Sequence, residues 1–337
     1  MVPAGVLQFA ARKIPGFGQW YAVTIYPWIV GIYGRICGLV PFSVVEMGLY
    51  GLVLFFVYSL LRRERKWRKM FAGVFFTAGL LAFLYTANCG VNYYRKPFSS
   101  YLDLQVGKAN TEDLKALCQE LVEKINETAP EGSVDMGLLA QGKLARTGKA
   151  AMEKLGEEYP ALSGCYPVPK PVLVSWILAV QQLCGVYSPF TVEANYNWQM
   201  TGYNIPHTIC HELSHLRGFM REDEANFIGI LACTESDDAY FRYSGYLMAW
   251  VHAGNALEKA DVESFYELHS QLCGQAVQDL QENNEYWDQY EGKVAEVSNQ
   301  VNDTYLKLND QKDGVQSYGR VVDLMLAMFL QNRQEAQ

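Results

Sequence analysis

Two long apolar stretches dominate the first hundred residues of the chain. Residues 70–94 form 25 consecutive positions without a charged side chain, which is long enough for a helix to cross a bilayer. Residues 43–61 form a second predicted span. Residues 20–40, interrupted by Pro27 and Arg35, predict either a weaker span or a segment that lies along the membrane surface. The pattern therefore predicts an N-terminal membrane region over residues 1–96.

The rest of the chain has the alternation of polar and apolar positions that is typical of a folded domain. Apolar residues recur every three or four positions between about 99 and 155, and again from Pro206 to the end, which predicts helices. Two or three short strands are predicted from β-branched and aromatic runs at residues 171–180, 185–190 and 191–198. We therefore expect residues 97–337 to form an α+β domain that is dominated by helices and has a small sheet.

Charge is divided unevenly between these two regions. The first 100 residues carry 11 Lys and Arg side chains against two acids, whereas the remainder carries 17 against 34. Six of the basic side chains lie in residues 62–69, between the two predicted spans, and the positive-inside rule places that loop in the cytoplasm. Residues beyond about 96 are then predicted to be extracytoplasmic. The apolar spans predict the lipid bilayer as a partner, and the acidic body excludes nucleic acid as one.

The helix predicted after Pro206 carries an HExxH motif, His211-Glu212-Leu213-Ser214-His215. Two histidines four positions apart project from one face of a helix and can bind the same metal ion. Glu212 lies beside them and can hold a water molecule that the ion binds. Because catalytic zinc sites use three protein ligands and keep one position for water, the motif predicts one Zn²⁺ ion and requires a third ligand.

The third ligand is expected from the segment that follows the motif. Gly218 is placed to end the HExxH helix, and the residues after it predict a new helix with acids in its first turn. Glu222 and Asn226 lie four positions apart on that helix, so Glu222 can bind the ion while Asn226 hydrogen-bonds a ligand histidine. Glu224 is the alternative third ligand, and only ligand orientation favours Glu222 over it.

These residues resemble the gluzincin metallopeptidases, in which HExxH is followed by a helical Glu-x-x-Ala-Asn/Asp. The stretch HELSHLRGFMREDEANFIG is similar to the soluble repressor-cleaving peptidases of that group, which have an E-x-E-A-N-x-F-A pattern. Only six residues separate His215 from Glu222, fewer than those families have. The resemblance implies a zincin-like fold and a zinc-dependent peptidase.

A second resemblance covers nearly the whole chain. It is to an uncharacterised family of multi-pass bacterial membrane proteins, catalogued as a domain of unknown function. The resemblance implies a location in the bacterial cytoplasmic membrane and supports the topology and the zinc site, but it indicates no substrate. The matching stretches are PFSVVE (41–46), YSPFTVEANYN (187–197), IPHTICHELSHLRGFMREDEANFIGILAC (205–233), RYSGY (242–246) and DGVQSYGRVVDL (313–324).

With zinc bound, the expected reaction is hydrolysis of a peptide bond in a peptide or protein substrate. Glu212 is assigned as the general base that takes a proton from the water and passes it to the leaving amine. Residues 191–198 could be an edge strand that pairs with the substrate, or an ordinary strand of the sheet. Further candidates for contact with the substrate or transition state are Tyr243, His252, Tyr318 and Arg320. A structural role is the alternative for each of them.

Two other functions are compatible with the same motif. A membrane-bound sensor can use a zincin scaffold to bind a ligand, and a structural zinc site can hold the ion without turnover. The substitution Glu212→Gln separates them, because it abolishes the activity of an enzyme and leaves a sensor or a structural site intact.

Overall fold

The computed structural model describes residues 2–61, 67–102, 104, 110–132, 137–309 and 320–335. Within these ranges the protein is α+β and dominated by helices, with one three-stranded sheet, as the sequence predicts. The helices are α1 Val2–Lys13, α2 Phe17–Thr24, α3 Tyr26–Gly38, α4 Val44–Leu61, α5 Trp67–Tyr85, α6 Thr111–Thr128, α7 Leu138–Glu158, α8 Trp176–Ala179, α9 Asn204–Leu216, α10 Glu222–Thr234, α11 Ala239–Ala260, α12 Val262–His269, α13 Gly274–Asp288, α14 Lys293–Leu308 and α15 Arg320–Glu335. The strands are β1 Lys170–Pro171, β2 Gly185–Ser188 and β3 Glu193–Tyr196.

The sheet has the strand order β1-β3-β2, with β1 parallel and β2 antiparallel to β3. β3 is therefore the central strand, and the interpretation of residues 191–198 as an edge strand is wrong. The register pairs Gly185 with Tyr196 and Ser188 with Glu193, so β2 occupies the edge of the sheet beside α9.

Residues 171–180 do not form the predicted strand. Lys170 and Pro171 pair with β3, the Val172 N–H still donates to the Tyr196 carbonyl at 3.0 Å, and α8 follows five residues after Pro171. The backbone N–H groups of Leu173 and Val174 donate to the Glu46 carboxylate, at 2.8 and 2.9 Å, instead of to a neighbouring strand. A side chain from α4 thus ends the strand, which a β-branched run alone does not reveal.

The HExxH helix α9 lies at the centre of the protein. Twelve of its thirteen residues are buried. Helices α7, α10 and α11 pack against it, and β2 and β3 cover another side. It begins at Asn204, so Pro206 lies in its first turn, where the missing N–H has no partner in the helix. The side chains of α9 are consequently held by packing on the sides that these helices and strands cover.

The N-terminal region shares a hydrophobic core with the rest of the chain. Tyr26 and Val30 are fully buried in the same cluster as Leu213 and Leu216 of α9. The Tyr26 hydroxyl lies 2.8 Å from the Tyr187 hydroxyl and donates to the Leu216 carbonyl at 3.0 Å. The core therefore extends across residue 96, where the sequence predicts a domain boundary, and that boundary stays a prediction.

One helical segment among the described residues, Phe71–Tyr94, is long and apolar enough to cross a membrane, with 24 residues and a mean hydropathy of 1.6. It consists of most of α5 and the π-helical and 3-10 turns that follow. Within the predicted span 43–61, Val44–Ser59 is an apolar helix of shorter length. Residues 20–40 are divided between α2 and α3. Residues 62–66 of the basic loop lie outside the described residues, so multi-pass insertion and its orientation stay predictions.

A buried ion pair fixes the sheet to the start of α4. The Lys170 ammonium lies 2.6 Å from the Glu193 carboxylate, and both side chains are at most 6% exposed. The Glu193 carboxylate also accepts hydrogen bonds from the N–H groups of Val44 and Val45, both at 3.1 Å. Lys170 donates in addition to the Cys37 carbonyl at the end of α3. These bonds satisfy both charges, as burial requires.

Replacing Glu193 with Gln is expected to lower the free energy of unfolding by about 3–5 kcal/mol, because it leaves the Lys170 ammonium buried without a counterion. Thermal and denaturant unfolding of the full chain in detergent measures the change. Glu153→Gln is the control, since it breaks the exposed Lys149–Glu153 pair on α7 and should cost less than about 1 kcal/mol. Equal costs for the two variants would contradict the assignment.

Candidate metal centre

A tight turn after α9 brings the next helix back onto the HExxH motif. Gly218 has a φ of +95°, a left-handed conformation that glycine adopts without strain, and its N–H donates to the His215 carbonyl at 2.8 Å. α10 then begins at Glu222 with three acids in its first turn. The prediction that Gly218 ends one helix and that an acidic helix follows is confirmed.

Three side chains of these two helices converge on one point. The Nε2 atoms of His211 and His215 lie 3.4 and 3.5 Å from the two carboxylate oxygens of Glu222. One ligand atom from each residue lies within 4.8 Å of the others. Two ligands bound tetrahedrally about 2.0–2.2 Å from one ion are themselves about 3.3–3.6 Å apart. The two His–Glu distances fall in this range, and the His-His-Glu group as a whole is close enough to hold one metal ion.

Both histidines are oriented by hydrogen bonds from their second ring nitrogen. His211 Nδ1 donates to Asn226 Oδ1 at 3.0 Å, and His215 Nδ1 donates to the Phe219 carbonyl at 2.8 Å. Because both acceptors are carbonyl oxygens, the Nδ1 atoms carry the protons and the Nε2 atoms face Glu222. Carbonyl partners of this kind fix the ring angle of histidine ligands.

The structure brings Glu222, and not Glu224, to the two histidines. Glu224 turns away and accepts the Phe98 N–H at 2.9 Å. Arg95 lies nearby, with its guanidinium 3.5 Å from the centre of the Phe219 ring, and donates to the Arg217 carbonyl at 3.0 Å. Residues that directly follow the apolar segment thus hold the α9–α10 turn in place.

The charges in the group depend strongly on one another. Burial by itself raises the pKa of Glu222, but the imidazoles of His215 and His211 outweigh it and lower that pKa well below its usual range. Burial lowers the pKa of His215, and the Glu222 carboxylate opposes this and raises it to about 9. The raised pKa favours the protonated form of His215 while no cation is bound, and binding of a cation at Nε2 requires loss of the proton there.

Glu212 lies beside this group in a dry environment. Its side chain is 5% exposed, and its Oε2 atom has no hydrogen-bond partner among the residues that the structure describes. Burial raises the pKa of Glu212, and the neighbouring His211 and His215 act against that rise. A buried carboxylate oxygen without a partner is costly, so this atom is suited to bind a water molecule or a substrate proton.

Gly185 of β2 lies directly against the Glu212 carboxylate. A Cβ atom at position 185 would come within 2.6 Å of Glu212 Oε1 and 2.8 Å of its Cγ. Gly185→Ala is therefore expected to displace the carboxylate and, for the peptidase that the sequence predicts, to lower activity about 100-fold while metal binding is retained. Kinetics and metal content of the purified variant test this. Gly142→Ala on α7, where a Cβ meets only Arg146 at 3.6 Å, should behave as wild type.

The His-His-Glu group and Glu212 line one cavity of about 520 Å³. The edge strand β2 forms part of its wall, and so do Tyr85, Cys89 and Tyr93 at the end of the apolar segment. Tyr305 of α14 completes this side: the Tyr93 hydroxyl donates to its hydroxyl at 3.1 Å, and the Cys89 thiol lies 3.3 Å from it. The cavity is thus shared between the HExxH helices and the apolar N-terminal region.

The sequence model of a family described as "Protein of unknown function (DUF3810)" matches residues 21–326. The chain belongs to this family. The match includes every residue of the His-His-Glu group, Glu212 and the cavity wall, and it agrees with the resemblance to an uncharacterised family. No curated protein and no solved structure matches the chain. Membership of the DUF3810 family assigns no activity.

The other predicted contact residues of this DUF3810 protein do not line the described cavity. Tyr243 donates to Asp279 at 2.5 Å in the core. His252 is largely buried and its Nε2 atom has no hydrogen-bond partner in the described part of the chain. Arg320 Nε lies 2.9 Å from Asp223 at the start of α10. None of these three side chains lines the cavity of the His-His-Glu group, so their contact with a substrate stays a prediction. Tyr318 lies outside the described residues.

Sequence reasoning missed the hydroxyl groups that do line the cavity. Tyr93 is the second-last residue of the apolar segment, and Tyr305 lies in an amphipathic helix more than 80 residues after the motif. The aromatic residues of these segments are typical of a membrane interface and of helix packing. No spacing rule connects them to HExxH, so only the fold places them together.

Proposed function

We propose that this protein is a zinc-dependent metallopeptidase anchored in the bacterial cytoplasmic membrane. The observation that carries the proposal is the His211–His215–Glu222 group, whose spacing suits one tetrahedral ion, with the Glu212 carboxylate beside it in the same cavity. Two imidazoles and a carboxylate are the ligand set of many catalytic zinc sites. Structural zinc sites use four protein ligands, and the described residues supply three here.

The residues of the cavity have separate roles in the proposed reaction. His211, His215 and Glu222 would hold the zinc ion, which when bound would lower the pKa of a water molecule and polarise the carbonyl of the scissile bond. Glu212 accepts the proton of the attacking water on its unpartnered Oε2 and returns it to the leaving amine. Its raised pKa suits this role because the carboxyl must both take up and release a proton. Tyr305, whose hydroxyl accepts a hydrogen bond from Tyr93, supplies a hydroxyl donor for the developing oxyanion.

The strand β2 in the cavity wall offers a sheet edge to an extended polypeptide. On the side away from β3, the edge strand β2 has no strand partner among the described residues, so its N–H and C=O groups can pair with a peptide backbone. Such pairing places a scissile carbonyl beside Glu212, because Gly185 of the same strand touches that side chain. A peptide or a protein segment is therefore the proposed substrate.

The membrane location rests on two features of the N-terminal region. The segment Phe71–Tyr94 provides a membrane anchor, and the basic residues 62–69 before it place the catalytic body outside the cytoplasm by the positive-inside rule. A membrane sensor is the second candidate function. This function is favoured because Tyr93 and Cys89 of the apolar segment line the cavity. A ligand bound in the cavity would contact these residues and could change the conformation of the apolar segment.

Metal removal tests the proposal on the full chain in detergent or lipid nanodiscs. The whole chain is required because Tyr26 and Arg95 contact the backbone at the end of α9. We expect one zinc per chain and cleavage of an unbiased peptide library, detected by mass spectrometry. A chelator should abolish the cleavage, and added zinc should restore it. One bound zinc without cleavage of any peptide would favour a sensor. Absence of bound metal after zinc loading would contradict both.

A further inference from the structure

The loop between β1 and α8, together with the first residue of α8, presents large apolar side chains to the outside. Leu173, Val174 and Trp176 are 53, 43 and 58% exposed, whereas Val172 beside them is buried. Three such side chains within four positions are unusual on a surface that faces water. The loop therefore needs a partner that covers apolar groups.

The backbone of this loop is fixed to the first turn of α4. The Glu46 carboxylate, itself only 7% exposed, accepts the N–H groups of Leu173 and Val174. Two hydrogen bonds to one charged acceptor hold the loop in register with α4. The exposed side chains thus occupy a defined position at the end of that helix.

Helix α4 is apolar around its whole circumference. Residues 51–58, with the sequence GLVLFFVY, are all exposed and none is charged. A helix without a polar face is stable only where water is excluded, either in a protein core or in lipid. Because residues 51–58 are exposed in the described structure, lipid is the environment that fits them.

The end of α3 extends the apolar surface around the start of α4. Ile36, Leu39 and Phe42 are 61, 83 and 39% exposed. The Lys170 ammonium joins this region to the sheet through the Cys37 carbonyl, at 2.6 Å. We name the surface that surrounds the start of α4 the apolar collar, and its residues are Ile36, Leu39, Phe42, Leu173, Val174 and Trp176.

We propose that the apolar collar lies in the interfacial layer of the bilayer, so that the folded body is docked on the lipid surface as well as anchored in it. The occupant is lipid because the collar is continuous with α4, whose exposed residues suit only the hydrocarbon layer. A tryptophan with neighbouring aliphatic residues is typical of protein surfaces at this depth. The proposal does not depend on peptidase activity.

Docking in this way places the cavity close to the lipid surface. Strand β1 is the edge strand that leads into the collar residues Leu173 and Val174. Strand β2 is the opposite edge strand, and its residue Gly185 contacts Glu212. Two strand spacings, about 10 Å in total, separate those edges. A polypeptide that reaches β2 therefore approaches close to the membrane surface.

Photo-crosslinking of the full chain tests the collar. A benzophenone amino acid replaces Trp176 in protein reconstituted into phosphatidylethanolamine–phosphatidylglycerol nanodiscs, and the intact mass is measured after irradiation. We expect an adduct with the mass of one phospholipid. The same group in place of Tyr266 on α12, which is 62% exposed, is the control and should give no lipid adduct. A protein adduct at 176, no adduct, or equal lipid adducts at both positions would overturn the proposal.

Fluorescence quenching gives a second measurement with a conservative variant. In vesicles that contain phospholipids brominated near the headgroup, we expect a smaller quenched fraction of tryptophan emission for W176F than for the wild-type chain. W287F is the matched control, because the Trp287 indole is partly buried and donates to Asn283 at 3.0 Å within α13. Unchanged quenching in W176F would place Trp176 away from lipid.

Discussion

Glu212→Gln is expected to lower kcat at least about 100-fold while one zinc per chain is retained. The amide matches the carboxylate in size, so the buried side chain keeps its place against Gly185. It cannot accept a proton, however, and the proposed water is then no longer activated. His211, His215 and Glu222 are unchanged, so the ligand atoms stay within the same 4.8 Å.

Glu212→Asp is the matched variant for this experiment. It keeps a carboxylate but withdraws it by one methylene group, so we expect zinc binding as in wild type and an intermediate kcat. Zinc content by mass spectrometry, helix content by circular dichroism and steady-state kinetics on one cleaved peptide give the three readouts. Wild-type kcat in Glu212→Gln, with zinc bound, would rule out Glu212 as the general base.

The local part of the candidate site could be predicted from the sequence because helical geometry fixes it. Residues four apart share a face of a helix, which brings His211 to His215 and sets Glu222 above Asn226. Gly218 marks the turn between the two helices, and the structure places a left-handed residue there. These relations span fewer than 16 positions, so no knowledge of the tertiary fold is needed for them.

The remainder of the cavity depends on contacts that are distant along the chain. Tyr93 and Tyr305 meet across 212 positions, and Asn88 reaches the Pro189 carbonyl across 101. Neither contact leaves a periodic signal in the sequence. The apolar pattern of residues 70–94 predicts a helix, and it does not show that one end of this helix forms the wall of a cavity.

The same limit explains the errors in the sheet. A β-branched run such as residues 171–180 is equally compatible with a strand and with an exposed apolar loop. The Glu46 carboxylate, 127 positions before Leu173, decides between them by binding two backbone N–H groups. The three strands that exist are two to four residues long, and their order cannot be read from composition.

Glu222→Gln and Glu224→Gln together identify the third ligand. We expect Glu222→Gln to weaken zinc binding at least about 100-fold. Mutation of a residue that only orients a ligand typically weakens binding 10- to 100-fold, and the loss of a ligand carboxylate should weaken it more. It removes the negative charge that balances the cation and that holds the pKa of His215 at about 9. Competition against a fluorescent zinc chelator at constant pH measures the affinity.

Glu224→Gln should leave zinc affinity unchanged. Burial, together with the neighbouring Asp223, raises the pKa of Glu224 to about 7, so a neutral side chain is already tolerated at that position. Its hydrogen bond from Phe98 can be kept by the amide oxygen. The two variants lie on the same turn of α10 and differ only in which side of the helix they change. Loss of zinc in Glu224→Gln and its retention in Glu222→Gln would reverse the assignment, because the ligand group would then have to be built from the other face of α10.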